Sequence, residues 1–251
     1  MTNTNTSIIV HGASGRLGSR ICAIALADPS ITLAGAITHP GSSRLGHGIV
    51  GDAPSKSTIK YTIFDDQRAD VVIDFSSDDG ARRALEIALA SRAALLVGTT
   101  ALSSDTVETL RAASKKISVL LAPNTSLGVA VLAESLARVA RALGPGYDIS
   151  IVEAHHNKKK DAPSGTALRL ARASEAAGFP LKPDQIVAIR GGDVVGEHTV
   201  RFAGTGEYIE LTHRATTRDV FAHGAIRAAK WLAHRPAGWH TMEDVLGLSA
   251  S

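Results

Sequence analysis

The chain has 251 residues, 44% of them hydrophobic and 20% charged, with a single cysteine. That length fits one or two domains with a true core, and 23 glycines with 9 prolines exclude collagenous and low-complexity classes. Lys and Arg number 27 against 24 Asp and Glu, for a net charge of +3; the two signs are interleaved and aromatics are scarce, so nucleic acid is not an expected partner.

Cys22 alone can form neither an internal disulfide nor a cysteine-based metal site. No apolar run approaches the roughly 18 residues needed to span a bilayer, and Met1–Ser7 is polar and uncharged, unlike a secretory leader. The expectation is a cytoplasmic protein with no membrane partner and no metal.

Along the chain, short apolar runs alternate with amphipathic stretches. Ile8–His11 predicts a strand, Arg16–Ala27 a helix and Ile31–Ile37 a strand. Strand Val71–Phe75, helix Ala81–Ser91, strand Ala93–Val97, helix Ser104–Lys116 and strand Val119–Leu121 follow. Val71–Phe75 and Ala93–Val97 are apolar on successive residues, as parallel strands covered on both faces are. Val129, Leu132, Leu136, Val139 and Leu143 then form one helical stripe, ended by Gly144-Pro145-Gly146.

Beyond that stop the period changes to two. Ile149 and Ile151 alternate with polar neighbours in a strand that ends near Glu153, and a helix starts near Thr166. His198–Phe202 and Tyr208–His213 flank a hairpin at Ala203-Gly204-Thr205-Gly206, with Gln185–Ile189 running straight into Arg190-Gly191-Gly192-Asp193. Ala222, Ala225, Ile226, Ala229 and Leu232 form a last helical face, and His47, His234 and His240 fall in loops. Together these predict an α/β chain: a Rossmann-like doubly wound parallel sheet over 1–126, completed by the returning segment 217–251, and a second α+β domain over 127–216 on a mostly antiparallel sheet.

Two segments carry chemistry. Gly12-Ala13-Ser14-Gly15-Arg16-Leu17-Gly18 lies directly between the first strand and the first helix. There, glycines permit a tight turn, close backbone approach to a pyrophosphate and close helix packing, and the helix start supplies N–H groups and a favourable dipole. The second strand ends at Ile37-Thr38-His39 without the carboxylate that grips a ribose 2′-hydroxyl. Arg16 and His39 offer positive charge instead, so NADPH is expected to serve at least as well as NADH.

The second segment runs from Glu153 to Ala167 and holds His155, His156, Lys158, Lys159 and Lys160 before Pro163-Ser164-Gly165-Thr166. A helix opening there binds an anion, and an imidazole beside an ammonium can stabilise developing charge and deliver a proton during hydride transfer. A solvated basic loop before an ordinary capped helix is the alternative.

With those residues in view, the chain resembles the dihydrodipicolinate reductase family. Glu153–Ala167 matches its pattern E-A-H-H-x-x-K-x-D-A-P-S-G-T-A, and the similarity extends through Gly12–Gly18, Gly41-Ser42-Ser43, Asp74-Phe75-Ser76, Gly98-Thr99-Thr100, Ala122–Ser126, Gly191–Asp193, Val195–His198 and Phe221–Ala225. The resemblance implies a reductase in lysine and diaminopimelate biosynthesis using NADPH or NADH on a cyclic dicarboxylate. By resemblance His155 is proton donor or acceptor and Lys159 proton donor, and His156, Ser164, Gly165 and Thr166 hold the substrate. Gly12, Ala13, Ser14, Gly15, Arg16, Leu17, Thr38 and His39 would bind the cofactor, with Gly98, Thr99, Thr100, Ala122, Pro123, Asn124 and Thr125 on its nicotinamide side. A homotetramer is implied as well.

Three positions depart from the family pattern: Thr38 replaces a frequent acid, Thr125 replaces a larger side chain, and the loop before Arg190 is short. Arg218 and Phe221 are candidates either for cofactor contact or for packing. Two other functions stay open on these residues, a related reductase of another cyclic imine or oxo acid and a non-catalytic NAD(P)-binding regulator.

Overall fold

The computed structural model describes residues 5–49, 58–64 and 67–248; the opening residues 1–4 and the last three lie outside the described set. Two compact units emerge, one of Met1–Ser126 with Asp219–Gly247, the other built on Leu127–Arg218.

The first unit contains β1 (Thr6–His11), α1 (Arg16–Ala27), β2 (Ile31–Ile37), β3 (Tyr61–Thr62), β4 (Val71–Asp74), α2 (Asp78–Ser91), β5 (Ala94–Val97), α3 (Ser104–Ala113) and β6 (Ser118–Leu121). The second unit supplies α4 (Leu127–Leu143), β7 (Asp148–His155), α5 (Gly165–Ala176), β8 (Ile186–Arg190), β9 (Gly196–Gly204) and β10 (Glu207–Ala215). The chain then returns to the first unit as α6 (Asp219–Leu232), β11 (Gly238–His240) and α7 (Met242–Leu246).

The first sheet has the order β11-β6-β5-β4-β1-β2-β3, parallel throughout. From β1 the chain builds outward first through β2 and later through β4, so β1 and β4 flank the topological switch point where open α/β sheets bind ligands. Ile8, Ile9, Val10, Val71, Val72 and Ile73 are fully buried, which is why those runs show no polar alternation. α6 packs on this sheet with Ala222, Ala225, Ile226, Ala229 and Leu232 buried. Its ends are tied to α1 by Arg20–Asp219 at 2.7 Å and Lys230–Asp28 at 2.6 Å.

The second sheet has the order β10-β9-β7-β8, antiparallel except for the parallel pair β7 and β8. Ile149, Ile151, Val200 and Phe202 point to a core shared with Leu132 and Leu136 of α4 and Leu170 of α5. The opposite face carries Val152 and Ala154, flanked by Val187 and Ile189, which are 47% and 50% exposed.

Several boundaries differ from the sequence expectation. α2 starts three residues before Ala81 because Ser77 caps it, accepting from Gly80 N, with Asp78 and Asp79 in its first turn. β7 continues past Glu153 to His155 because β8 pairs beside it as far as Arg190. His240 lies in β11, not in a loop. β3, β8 and β11 show no strand period of their own, and partner strands define them. The hairpin turn narrows to Thr205-Gly206, with Gly206 at φ +83°.

Candidate active site

At the switch point the glycine turn is built on close approaches. Gly12 has φ +77°, and a Cβ there would lie 2.3 Å from Phe75 O. Gly18 lets α1 approach the turn, since its Cβ would fall 2.2 Å from Gly12 O. The turn is pinned by Ala13 N donating to Ile37 O and Gly15 N donating to Gly12 O, both at 2.9 Å. Gly15 caps α1 with no side-chain hydrogen bond, and no acid sits in the helix's first turn. The positive end of α1 therefore faces outward beside exposed Arg16 and half-buried Leu17, a fit for a pyrophosphate.

Thr38 is buried at the end of β2, its hydroxyl hydrogen-bonded to that of Ser14, while His39 is exposed. No carboxylate occupies 37–49. Beneath the turn, Asp74 is fully buried and accepts from His11 Nδ1 at 2.8 Å, Ser76 Oγ at 2.5 Å and Thr99 Oγ1 at 2.5 Å. This network joins the ends of β1, β4 and β5; its pairings with His11 and Thr99 are not legible in the sequence, because those partners lie 63 and 25 residues from Asp74.

On the nicotinamide side proposed from sequence, Gly98 and Thr99 are buried and Thr100 is exposed. A Cβ on Gly98 would strike the Phe75 ring at 2.0 Å. Ala122 is buried, Pro123 exposed and Asn124 half-buried. Thr125 is only 1% exposed and donates its hydroxyl to Phe221 O at 2.7 Å, which commits its side chain to the start of α6.

In the second unit, strand register places Glu153 of β7 beside His198 of β9, and His198 beside His213 of β10, all on the helix-covered face. Glu153 is fully buried and bidentate with Arg190, at 2.8 and 3.0 Å. It also accepts from Ser164 N at 3.1 Å and from His155 Nδ1. His155 stacks edge-on against His198, ring centroids 5.1 Å apart. The family resemblance pointed to His155, whereas Arg190 and His198 were not among the candidates; their only signals were the R-G-G-D run and the alternation of β9.

Burial works against ionisation of Glu153, but Arg190 and His155 outweigh it and hold the carboxyl below its ordinary range. Burial pushes the His155 imidazole down despite the opposing pull of Glu153. His198 falls furthest, from 6.5 to about 4, through burial and the neighbouring His155. The unfolded chain therefore takes up a proton between those pH values that the folded chain resists. Stability from this group is complete above pH 6.5 and is lost as pH falls toward 4, by roughly 3 kcal/mol. Denaturant titrations at pH 7 and 4.5 should show that loss, and His198→Gln should flatten it; equal slopes in both proteins would remove His198 as the cause.

The basic run divides in the structure. Lys158 and Lys160 are exposed, whereas the Lys159 side chain is 21% exposed and pairs with Asp161 at 2.8 Å. His156 Nε2 accepts from Arg218 at 3.2 Å, so Arg218 meets a histidine of its own unit. Ser164 caps α5, its Oγ accepting from Ala167 N at 3.2 Å and lying 3.3 Å from His198 Nε2. Ser164 is 1% exposed, so it orders the helix start, and Gly165 is the exposed residue there, followed by half-buried Thr166. Among the described residues no group of three or more His, Cys, Asp or Glu can hold a metal, and no helix is long and apolar enough to cross a membrane.

The first unit has a glycine turn at the switch point of its parallel sheet, and the second has an imidazole at the end of β7 and an ammonium in the loop before α5; these are the parts of an NAD(P)H-dependent oxidoreductase. Residues 6–125 match the family "Dihydrodipicolinate reductase, N-terminus" and residues 128–246 match "Dihydrodipicolinate reductase, C-terminus". The chain belongs to the dihydrodipicolinate reductase family. It is 42% identical to the 4-hydroxy-tetrahydrodipicolinate reductase of Anaeromyxobacter dehalogenans, covering 97% of this chain and 98% of that one. With the Myxococcus xanthus protein of the same name it shares 41% identity, over 95% and 97% of the two chains. The fold also matches a dipicolinate-bound dihydrodipicolinate reductase from Paenisporosarcina sp. TG-14, with a TM-score of 0.76 at 17% identity, covering 94% and 97% of the chains.

Proposed function

We propose that the chain is a 4-hydroxy-tetrahydrodipicolinate reductase, reducing the cyclic dihydrodipicolinate precursor to tetrahydrodipicolinate with NADPH or NADH. The observation that carries this reading is the folded Glu153–Ala167 segment, in which His155 is held by a buried carboxylate, Lys159 is the one turned-in lysine of its run, and α5 opens directly afterwards. When bound, the dinucleotide supplies the hydride.

The chain's own residues do the rest. Gly12–Leu17 receive the pyrophosphate at the start of α1, and Thr38 and His39 leave room for a 2′-phosphate that an acid would repel. Gly165 and Thr166 receive a substrate carboxylate at the positive end of α5, with His156 as a further donor. Lys159 delivers the proton that follows hydride addition, and His155 exchanges protons beside it. The substrate is thus a small dicarboxylate, and the single cysteine of the sequence is the ground for a reducing, cytoplasmic setting.

Steady-state kinetics with freshly condensed aspartate semialdehyde and pyruvate test the reading. Both cofactors should be oxidised, NADPH at least as efficiently as NADH. Silence on this product, with activity on another cyclic imine acid, would reassign the substrate; tight cofactor binding without any turnover would reject catalysis.

Assembly as a homo-oligomer, a tetramer by family resemblance, is part of the same proposal. Its support is the open face of the second sheet, where Val187, Ile189 and Tyr208 are 47%, 50% and 61% exposed. Sedimentation should give a multiple of the 26.1 kDa chain mass, and Ile189→Glu should shift it downward; a wild-type monomer would end the proposal.

A further inference from the structure

We propose that Glu153 is the positioning residue of this active site: its buried carboxylate fixes the His155 ring in the tautomer that leaves Nε2 to exchange protons, and it ties that ring to the lysine loop and to the start of α5. This rests on the reductase function, in which His155 handles protons during reduction.

The geometry is that of a hub. One oxygen, Oε2, takes His155 Nδ1 and Arg190 Nη1; the other, Oε1, takes Arg190 Nη2 at 2.8 Å and the Ser164 amide at 3.1 Å. An ionised carboxylate only accepts, so the hydrogen between it and His155 belongs to Nδ1, and in the neutral ring Nε2 carries the lone pair. Nε2 has no hydrogen-bond partner among the described residues. It lies beside Gly196, where even a Cβ would come within 3.1 Å, so no side chain from that position of β9 covers it.

Arg190 extends the hub. Its Nη2 also donates to Asp161 O at 2.6 Å, and the Asp161 carboxylate pairs with Lys159 at 2.8 Å. The general acid–base imidazole, the ammonium and the α5 start thereby share one anchor, contributed by β7, β8 and the loop between β7 and α5. A single buried ion pair contributes little to stability by itself, whereas an anchor that sets tautomer and orientation acts directly on proton transfer.

The charged and titratable groups facing His155 are Glu153 on β7, Arg190 on β8, Lys159 in the loop and His198 on β9. Burial and the two cations disfavour a second proton on the ring, and Glu153 is the group that favours it. Removing its charge therefore moves the His155 limb of the pH–rate profile to lower pH.

Two measurements test this. Nitrogen-15 NMR of the wild-type protein at neutral pH, with the His155 ring identified by its loss in His155→Asn, should show Nδ1 protonated and Nε2 bare; the opposite tautomer overturns the proposal. In Glu153→Gln the amide can donate to Nδ1 and reverse the tautomer, so kcat should fall ~10²–10³-fold with NADPH affinity unchanged and the pH limb displaced downward. Glu153→Asp should recover part of the rate. A folded Glu153→Gln protein with wild-type kcat and pH profile also overturns the proposal, and if that variant does not fold, the wild-type tautomer alone decides. Failure of the wild-type enzyme to turn over the condensation product would instead count against the reductase function, and the tautomer can still be measured.

Discussion

Lys159→Ala should lower kcat by about 10²–10⁴ while leaving NADPH affinity nearly unchanged. Hydride addition leaves negative charge on the acceptor, and an ammonium can both stabilise it and supply the missing proton. The structure separates three adjacent lysines. Only Lys159 is turned in and held, by Asp161 at 2.8 Å, while Lys158 and Lys160 are exposed. Lys158→Ala and Lys160→Ala should therefore stay close to wild-type turnover. Single-turnover rates and fluorescence titration of NADPH separate chemistry from binding, and wild-type turnover in Lys159→Ala would reject the catalytic assignment.

Gly12→Ala should destabilise the first unit by about 2–5 kcal/mol and abolish tight dinucleotide binding. Two penalties act together there. The position has φ +77°, which L side chains seldom adopt, and the added Cβ would stand 2.3 Å from a backbone oxygen, Phe75 O. Backbone cannot swing aside as a flexible side chain would, so the turn and the α1 start it aims must shift. Gly15→Ala is the contrasting case, with φ −70°, an exposed surface and a nearest approach of 3.1 Å to Gly12 O. It should fold nearly normally and act mainly on cofactor affinity. Chemical denaturation and NADPH titration of the two variants check the contrast, and equal stability of both would show that crowding at Gly12 does not matter.

Much of this protein is legible along the chain. Continuous apolar runs such as Val71–Ile73 marked strands buried on both sides, and the period-two alternation from Ile149 marked a sheet with one open face. The glycine turn was recognisable because it fell between a strand and a helix, and the Glu153–Ala167 segment because local spacing fixes its contents. Ser164 illustrates the limit: its place at a helix start could be read, yet its side chain serves the cap and His198, and the exposed residue is Gly165. β8 illustrates another, since Ile186–Arg190 is apolar on both faces without helical or strand period, and β7 alone makes it a strand.

What the amino-acid order by itself determined is the two-sheet α/β architecture, the glycine turn between β1 and α1 and the choice of His155 and Lys159 as candidates, because turn chemistry, hydrophobic period and a short family pattern all lie among near neighbours. What only the tertiary structure decided is which polar groups share a buried pocket. Glu153 meets Arg190 across 37 residues and His11 meets Asp74 across 63. Those pairings follow from strand register, which is set by the burial of whole sheets against their helices and leaves no mark in any short stretch of sequence.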